Sequence, residues 1–249
     1  MNSQLEQNLK ALRLSGMVET LSIRNQEAIA SKFSYPEFLE LLVCDELSRR
    51  RDNLFKNRLK KACFPALKTI EHFDFTFNPT LNKKQVFDFA TARFVADAAG
   101  ILFLGPPGVG KSHLAIALGI CAVKAGYSVL YKTAAELLED IAEAKATGQN
   151  KKFFKLLNQA HLLIIDDFGL NKLPAQSSEH LLDVFVKRYE KSSIILTSNR
   201  PLDDWGKIIG DTATATAILD RFLHHTTVIT IKGKSYRLAK KGKLLNNKR

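Results

Sequence analysis

A lysine and a hydroxyl close a glycine-rich octet, Gly105-Pro106-Pro107-Gly108-Val109-Gly110-Lys111-Ser112. The spacing fits G-x-x-x-x-G-K-[ST], whose chemistry is the holding of a polyphosphate. Backbone N–H groups surround the phosphates, Lys111 reaches the β- and γ-phosphates, and the Ser112 hydroxyl ligates magnesium. Glycines at 105, 108 and 110 admit left-handed backbone angles and close approach of the ligand. The elements that must position the loop are legible on either side. Residues 101–104 are an apolar run that reads as a buried strand, and residues 111–125 carry helical spacing through Leu114, Ala117, Leu118 and Cys121. A strand feeding such a loop into a helix aims N–H groups and the positive end of the helix dipole at one point. The octet and the adjoining His113 are therefore the expected nucleotide-binding residues, with ATP and Mg2+ as the expected ligands.

Two further strand ends supply groups of the right kind. The run Leu162-Leu-Ile-Ile-Asp166-Asp167 is an apolar strand ending in two acids. Asp166 is placed to hold the magnesium shell and Asp167 to orient and polarise the attacking water; otherwise the pair caps a surface turn. Ile194-Ile-Leu-Thr-Ser-Asn199 ends in an amide able to touch both the γ-phosphate and the water. Two cations lie further on. Arg221, near the end of a helix, reads either as an arginine finger offered to a neighbouring subunit or as half of a surface pair with Asp220. Arg237 is a second cation able to read the γ-phosphate.

The surrounding pattern is α/β from Leu81 onward. Strands are expected at 101–104, 128–131, 162–166, 194–198 and 228–231, alternating with helices at 111–125, 134–146, 152–159, 176–190 and 212–223. This order implies a mainly parallel five-stranded sheet covered on both faces. Residues 1–64 read as a small all-α module: Ser3-x-x-Glu6 and Ser34-x-x-Glu37 resemble capping boxes, with Gly16 as an interruption of the first helix. The alternation of Phe73, Phe75 and Phe77 suggests an extended packing segment or one side of a base pocket. The expected division is 1–64, 65–238 and a basic tail, 239–249.

The formal charge of +12 is concentrated at the ends. Residues 1–64 carry 11 Lys/Arg against 8 Asp/Glu, residues 65–231 carry 18 against 17, and residues 232–249 carry 8 against none. Such ends suit a polyanion, nucleic acid above all, or form a solvated tail. Arg49, Arg50, Arg51, Arg58, Lys60 and Lys61 on the third helix, and Lys240, Lys241 and Lys243 in the tail, are the candidate DNA contacts. No apolar stretch is long enough to span a bilayer, and MNSQLEQNLK has no apolar signal core, so a cytoplasmic protein without a membrane partner is expected. The three cysteines lack metal-ligand spacing, and the six histidines form no zinc pattern along the chain.

Taken together, GPPGVGKSHLAIALG, LLIIDDFG, RYEKSSIILTSNRPLDDWG, AILDRFLHH and IKGKSYRL resemble the IstB ATP-binding proteins, transposition helpers of one class of bacterial insertion sequence. The resemblance runs from about Leu5 to Leu238. The helicase loader DnaC is a close relative, similar in GKSHLA, in the paired aspartates and in SYR, whereas Trp205 and His224-His225 favour the IstB proteins. The resemblance implies a P-loop AAA+ fold of the additional-strand class and a Mg-dependent ATPase with nucleotide between subunits of a ring or helical homo-oligomer. DNA, duplex on this reading, and a transposase would be its partners. It implies Asn199 as first sensor, Arg221 as trans arginine finger and Arg237 as second sensor. Many AAA+ proteins have Glu where this chain has Asp167, and only 12 residues follow Arg237, so a reduced or absent helical lid is expected. A DnaC-like helicase loader is the alternative reading; a small-molecule kinase or a nucleotide-switched scaffold are readings of other classes.

Overall fold

The computed structural model describes residues 3–170, 177–209 and 211–239. The chain divides into two compact units, Met1–Asn57 and Arg58–Arg249. That boundary falls inside a helix, earlier than the change of composition at residue 64.

The first unit is all α, formed by α1 (Ser3–Ala11), α2 (Ser15–Ser31) and most of α3 (Tyr35–Lys61). Gly16 does not interrupt a helix, contrary to expectation. The break comes earlier, where Arg13 takes φ 58° and Leu14 stands before α2 with no side-chain cap. The cap comes instead from α3. A Glu46 carboxylate oxygen accepts the N–H groups of Gly16 at 2.6 Å and Met17 at 3.4 Å, where the helix dipole favours negative charge. A Cβ on residue 16 would lie 2.7 Å from the Cα of Glu46, so glycine is needed for the two helices to approach. Burial alone would raise the Glu46 carboxyl. Hydrogen bonds from Arg50, Gly16 and Met17 more than offset this and hold it below its ordinary value. Nearby, the Arg24 guanidinium grips both oxygens of Asp45 at 2.8 Å and holds that carboxyl at about 2.

The second unit is built on β1 (Gly100–Leu104), β2 (Val129–Thr133), β3 (Leu162–Phe168), β4 (Ser193–Ser198) and β5 (Thr226–Thr230). They pair in parallel in the order β2-β3-β4-β1-β5. β4 is thus the additional strand between the phosphate-loop strand and the acid strand. The strands read as continuous apolar runs because both faces are covered. Against the face bearing Leu102, Leu130, Leu163, Ile165 and Leu196 pack α7 (Ala134–Ala146), α8 (Asn150–Gln159), α9 (Ser177–Arg188), α10 (Trp205–Ile209) and α11 (Thr212–His224). On the other face α6 (Lys111–Lys124) meets the sheet where a Cβ on Gly119 would touch Ile164. Two short helices, α4 (Lys83–Ala90) and α5 (Arg93–Ala96), precede β1. Each fully buried Leu or Ile here contributes roughly 1.5–3 kcal/mol over an exposed one.

A buried guanidinium ties the start of this sheet together. Arg188 donates to the carbonyls of Leu157, Ala160, His161 and Ser193 at 2.5, 3.0, 3.4 and 2.8 Å, and burial lowers it to about 10. The segment 70–80 is not extended, as the alternating phenylalanines had suggested. It is a series of turns in which Asp74 Oδ1 accepts the N–H groups of Thr76 and Phe77. An acidic side chain closing an Asx turn outweighs the strand preference of the aromatics.

Candidate nucleotide-binding site

β1 ends at Leu104, and residues 105–110 turn back to start α6, with Gly110 as its N-cap at φ 104°. The loop is braced from the protein side. Ile231 N donates to Leu104 O at 2.7 Å, Tyr236 N to Gly108 O at 2.9 Å, and Asn78 Nδ2 to Val109 O at 2.7 Å. Gly108 has φ 83°, and a Cβ there would lie 2.2 Å from Ser235 Oγ; both backbone angle and space require glycine. Lys111 is only 6% exposed, and its Nζ donates to Gly105 O at 2.7 Å and Pro106 O at 2.9 Å. Burial lowers its pKa, while Asp167 and Asp166 favour its charged form.

Residues 107–113 form one side of a cleft of about 320 Å³. Asp167, Asn199 and Arg237 line the same cleft, as do the rings of Phe73, Phe77 and Tyr236. Burial, then the neighbouring Asp166, raises the Asp167 carboxyl; Lys111 and Arg237 pull the other way. The arrangement therefore places two cations and a carboxylate of raised basicity around one volume.

The two acids do different work. They sit where the pairing of β3 with β4 slips, between Ile165 and Phe168, and Asp167 takes φ 55°. Such irregularities re-aim side chains beside active sites. Asp167 thereby turns to the cleft, while Asp166 stays 2% exposed and is not part of its wall. Tyr131 donates to Asp166 Oδ2 at 2.6 Å and Thr197 Oγ1 to Asp166 Oδ1 at 2.5 Å. The same Thr197 oxygen accepts Asp167 N–H at 3.0 Å. One threonine on β4 thus fixes both aspartates. The Tyr131 hydroxyl is held neutral, its pKa raised by burial and by Asp166.

Of the other expected residues, His113 donates from Nε2 to Thr69 O at 2.8 Å and packs edge-on to Phe73. Arg221 is not in the cleft. Its Nη1 donates to Ala217 O at 3.0 Å in a crevice shared with Tyr189, Glu190 and His225. Among the described residues it forms no ion pair with Asp220. On α3, Arg49 pairs with Glu19 and Arg50 with Glu46, so these two stabilise the helical unit itself. Arg51, Lys60 and Lys61 are exposed and Arg58 is half-buried, with no ion pair among the described residues. Lys240, Lys241 and Lys243 lie outside the described residues.

Sequence reasoning missed Tyr131, Asn78 and Tyr236. Only Tyr236, inside the SYR string, carried a local signal; the others are brought in by tertiary packing. Whether the site suits a nucleotide and a metal can be judged from its atoms. The oxygens Oδ1 of Asn199 and Oδ1 of Asn78 are buried with no hydrogen-bond partner, and buried polar groups of this kind signal a missing polar partner. Ser112 and Asp167 offer hard oxygen donors on the cleft wall. Each Asp166 oxygen accepts one bond and keeps a second lone pair for a metal-bound water. The residues fit.

The chain is similar to known proteins along nearly its whole length. The family described as IstB-like ATP binding protein matches residues 7–244. A Pseudomonas aeruginosa protein named for ATP binding in insertion sequence IS21 is 42% identical over 235 residues, covering 94% of this chain and 88% of its own. A similar protein of insertion sequence IS5376 from Geobacillus stearothermophilus is 37% identical and covers 97% and 96%. Among solved structures, the DnaC helicase loader superposes with a TM-score of 0.50 at 25% identity, over 60% of this chain and 87% of its own. The replication initiator DnaA, solved with AMPPCP and single-stranded DNA, gives 0.57 at 25% identity over 74% of this chain and 56% of its own. Sheet order, phosphate loop and relatives agree on an α/β P-loop fold of the AAA+ kind preceded by a helical region. The chain belongs to the IstB-like ATP-binding family.

Proposed function

We propose that this protein is a Mg-dependent ATPase that assembles on DNA and assists a transposase in engaging its target. The observation that carries the reading is the convergence of Lys111, Asp167, Asn199 and Arg237 on the cleft beside the phosphate loop. Names of relatives over nearly the whole chain tie it to insertion sequences, which favours this reading over helicase loading.

In this mechanism the loop N–H groups and Lys111 hold the triphosphate, Lys111 exchanging its two loop carbonyls for phosphate oxygens. Ser112 and, through water, Asp166 would hold magnesium, whose chemistry is to neutralise charge on the β- and γ-oxygens. Asp167 accepts the proton of the attacking water, and its raised pKa makes it a better base than an ordinary aspartate. Asn199 orients that water and the γ-phosphate. The new bond forms from water to the γ-phosphorus, the bond to the β–γ bridging oxygen breaks, and ADP and phosphate leave. Arg221, absent from its own subunit's cleft, serves the nucleotide of a neighbour, so hydrolysis loosens the assembly. Residues 1–64 bind DNA or the partner, 65–238 form the ATPase, and 239–249 add basic charge for DNA.

The test is phosphate release and particle size with duplex DNA, comparing ATP with ADP. Turnover that rises with assembly and is lost in Arg221→Ala while ATP binding persists is the expected result. Equal turnover in dilute monomer, or particles indifferent to the nucleotide, would sink the reading.

A further inference from the structure

The histidines show no zinc spacing along the chain, yet the fold gathers two of them with an acid. His224 ends α11, His225 is its C-cap, and Glu190 stands in the turn after α9. A ring nitrogen of each histidine and a carboxylate oxygen of Glu190 lie within 4.8 Å of one another. All three side chains are exposed, so an ion could reach them without opening the core.

The geometry points to a binding site for a transition-metal cation of the zinc class, with Glu190, His224 and His225 as ligands. The donor set, two imidazoles and a carboxylate, is one that zinc takes when a fourth position is left to water or another ligand. The spacing suits it. His225 Nε2 lies 3.2 Å from Glu190 Oε1, close to the edge of about 3.3 Å that a tetrahedron with metal–ligand bonds near 2.0–2.1 Å requires. The two imidazole centroids are 4.0 Å apart, so a small rotation of each exposed side chain closes the triangle. A support is already present. The Tyr189 hydroxyl sits 2.9 Å from Nδ1 of His224, and its ring packs against both imidazoles. Outer contacts of this sort orient metal-binding histidines. The ligands come from two places, the turn before β4 and the junction of α11 with β5, so an ion here joins them. The site lies away from this subunit's own nucleotide cleft, but Glu190 and His225 share a crevice with Arg221, so metal binding is measured on nucleotide-free protein, where the proposed role of Arg221 plays no part.

Co2+ in place of Zn2+ gives a direct reading. Titrated into nucleotide-free protein with its cysteines alkylated, Co2+ should bind at one equivalent with the visible absorption of a four-coordinate centre. Zn2+ should displace it and raise the melting temperature. His225→Ala, with the exposed His224→Ala as a second variant, should weaken binding by at least ~10–100-fold, the range that even outer-shell changes produce. Asp166→Asn should leave it unchanged. Absence of a stoichiometric site, or a site that survives the loss of both histidines, overturns the assignment. A six-coordinate, pale spectrum would overturn the four-coordinate, zinc-class geometry.

Discussion

The two units of this chain give different work to their most buried carboxylates, Glu46 and Asp166. In the first, Glu46 caps a neighbouring helix and Asp45 is gripped by Arg24, so acids do the structural work in a unit whose buried set is small. In the second, a sheet of fully buried Leu, Ile and Phe carries the stability, and of the two acids at the end of β3 Asp167 faces the cleft. The contrast follows from size. Three helices bury little apolar surface and lean on charge-assisted contacts, whereas a covered parallel sheet draws most of its stability from buried hydrocarbon. A unit held by ionisable groups responds to pH, and one held by a hydrocarbon core responds to cavities.

The sharpest way to break this contrast is Lys111→Ala. It removes the ammonium that two loop carbonyls now hold and should weaken ATP binding more than ~100-fold, roughly the loss of a charge-assisted contact of about 3 kcal/mol. Equilibrium binding of a fluorescent ATP analogue reads this; near-normal affinity would remove the phosphate site and leave the second unit's acids unexplained. Next comes Thr197→Val, which strips a partner from both Asp166 and the Asp167 N–H. Turnover should fall about 10–100-fold, as outer contacts of a metal site typically show, with ATP affinity kept. Hydrolysis indifferent to this change would mean that the aspartates are not positioned from β4.

Smaller effects are expected in the first unit. Glu46→Gln should destabilise α2 by about 1–3 kcal/mol, the loss of a charged acceptor for buried N–H groups. Hydrogen exchange at the Gly16 amide would report it, and unchanged protection would show that the cap is not needed. The pH response follows from the same groups. Asp45 is lowered from 3.8 to about 2, so its contribution is complete above pH 4 and fades as pH falls toward 2. Exchange protection in α1 and α2 should therefore fade over that window before protection in the sheet does. Simultaneous loss would erase the distinction between the units.

Most of the second unit was legible because its chemistry is local. Parallel strands are short apolar runs, and the phosphate loop, Asp166–Asp167 and Asn199 each end one. What escaped is what packing alone creates. Nothing in the neighbourhood of Tyr131 announces a bond to Asp166, since 35 residues separate them. The phenylalanine alternation at 73–77 gave a false period because Asp74 closes a turn there. Gly16 reads as a helix breaker by propensity, yet its lack of a side chain serves the crossing with α3. His224 and His225 are adjacent in the chain, but Glu190 stands 35 residues before His225 and reaches them only where the turn after α9 meets the end of α11.

The brace over the phosphate loop has a mechanical consequence. Followed inward from residue 239, the chain touches Gly108 through Ser235 and Tyr236, then Gly105 through Ile231, and only afterwards enters the sheet as β5. A tug on the polypeptide beyond Arg237 is therefore felt by the phosphate grip before any strand bears the load, as a latch moves before the door it holds.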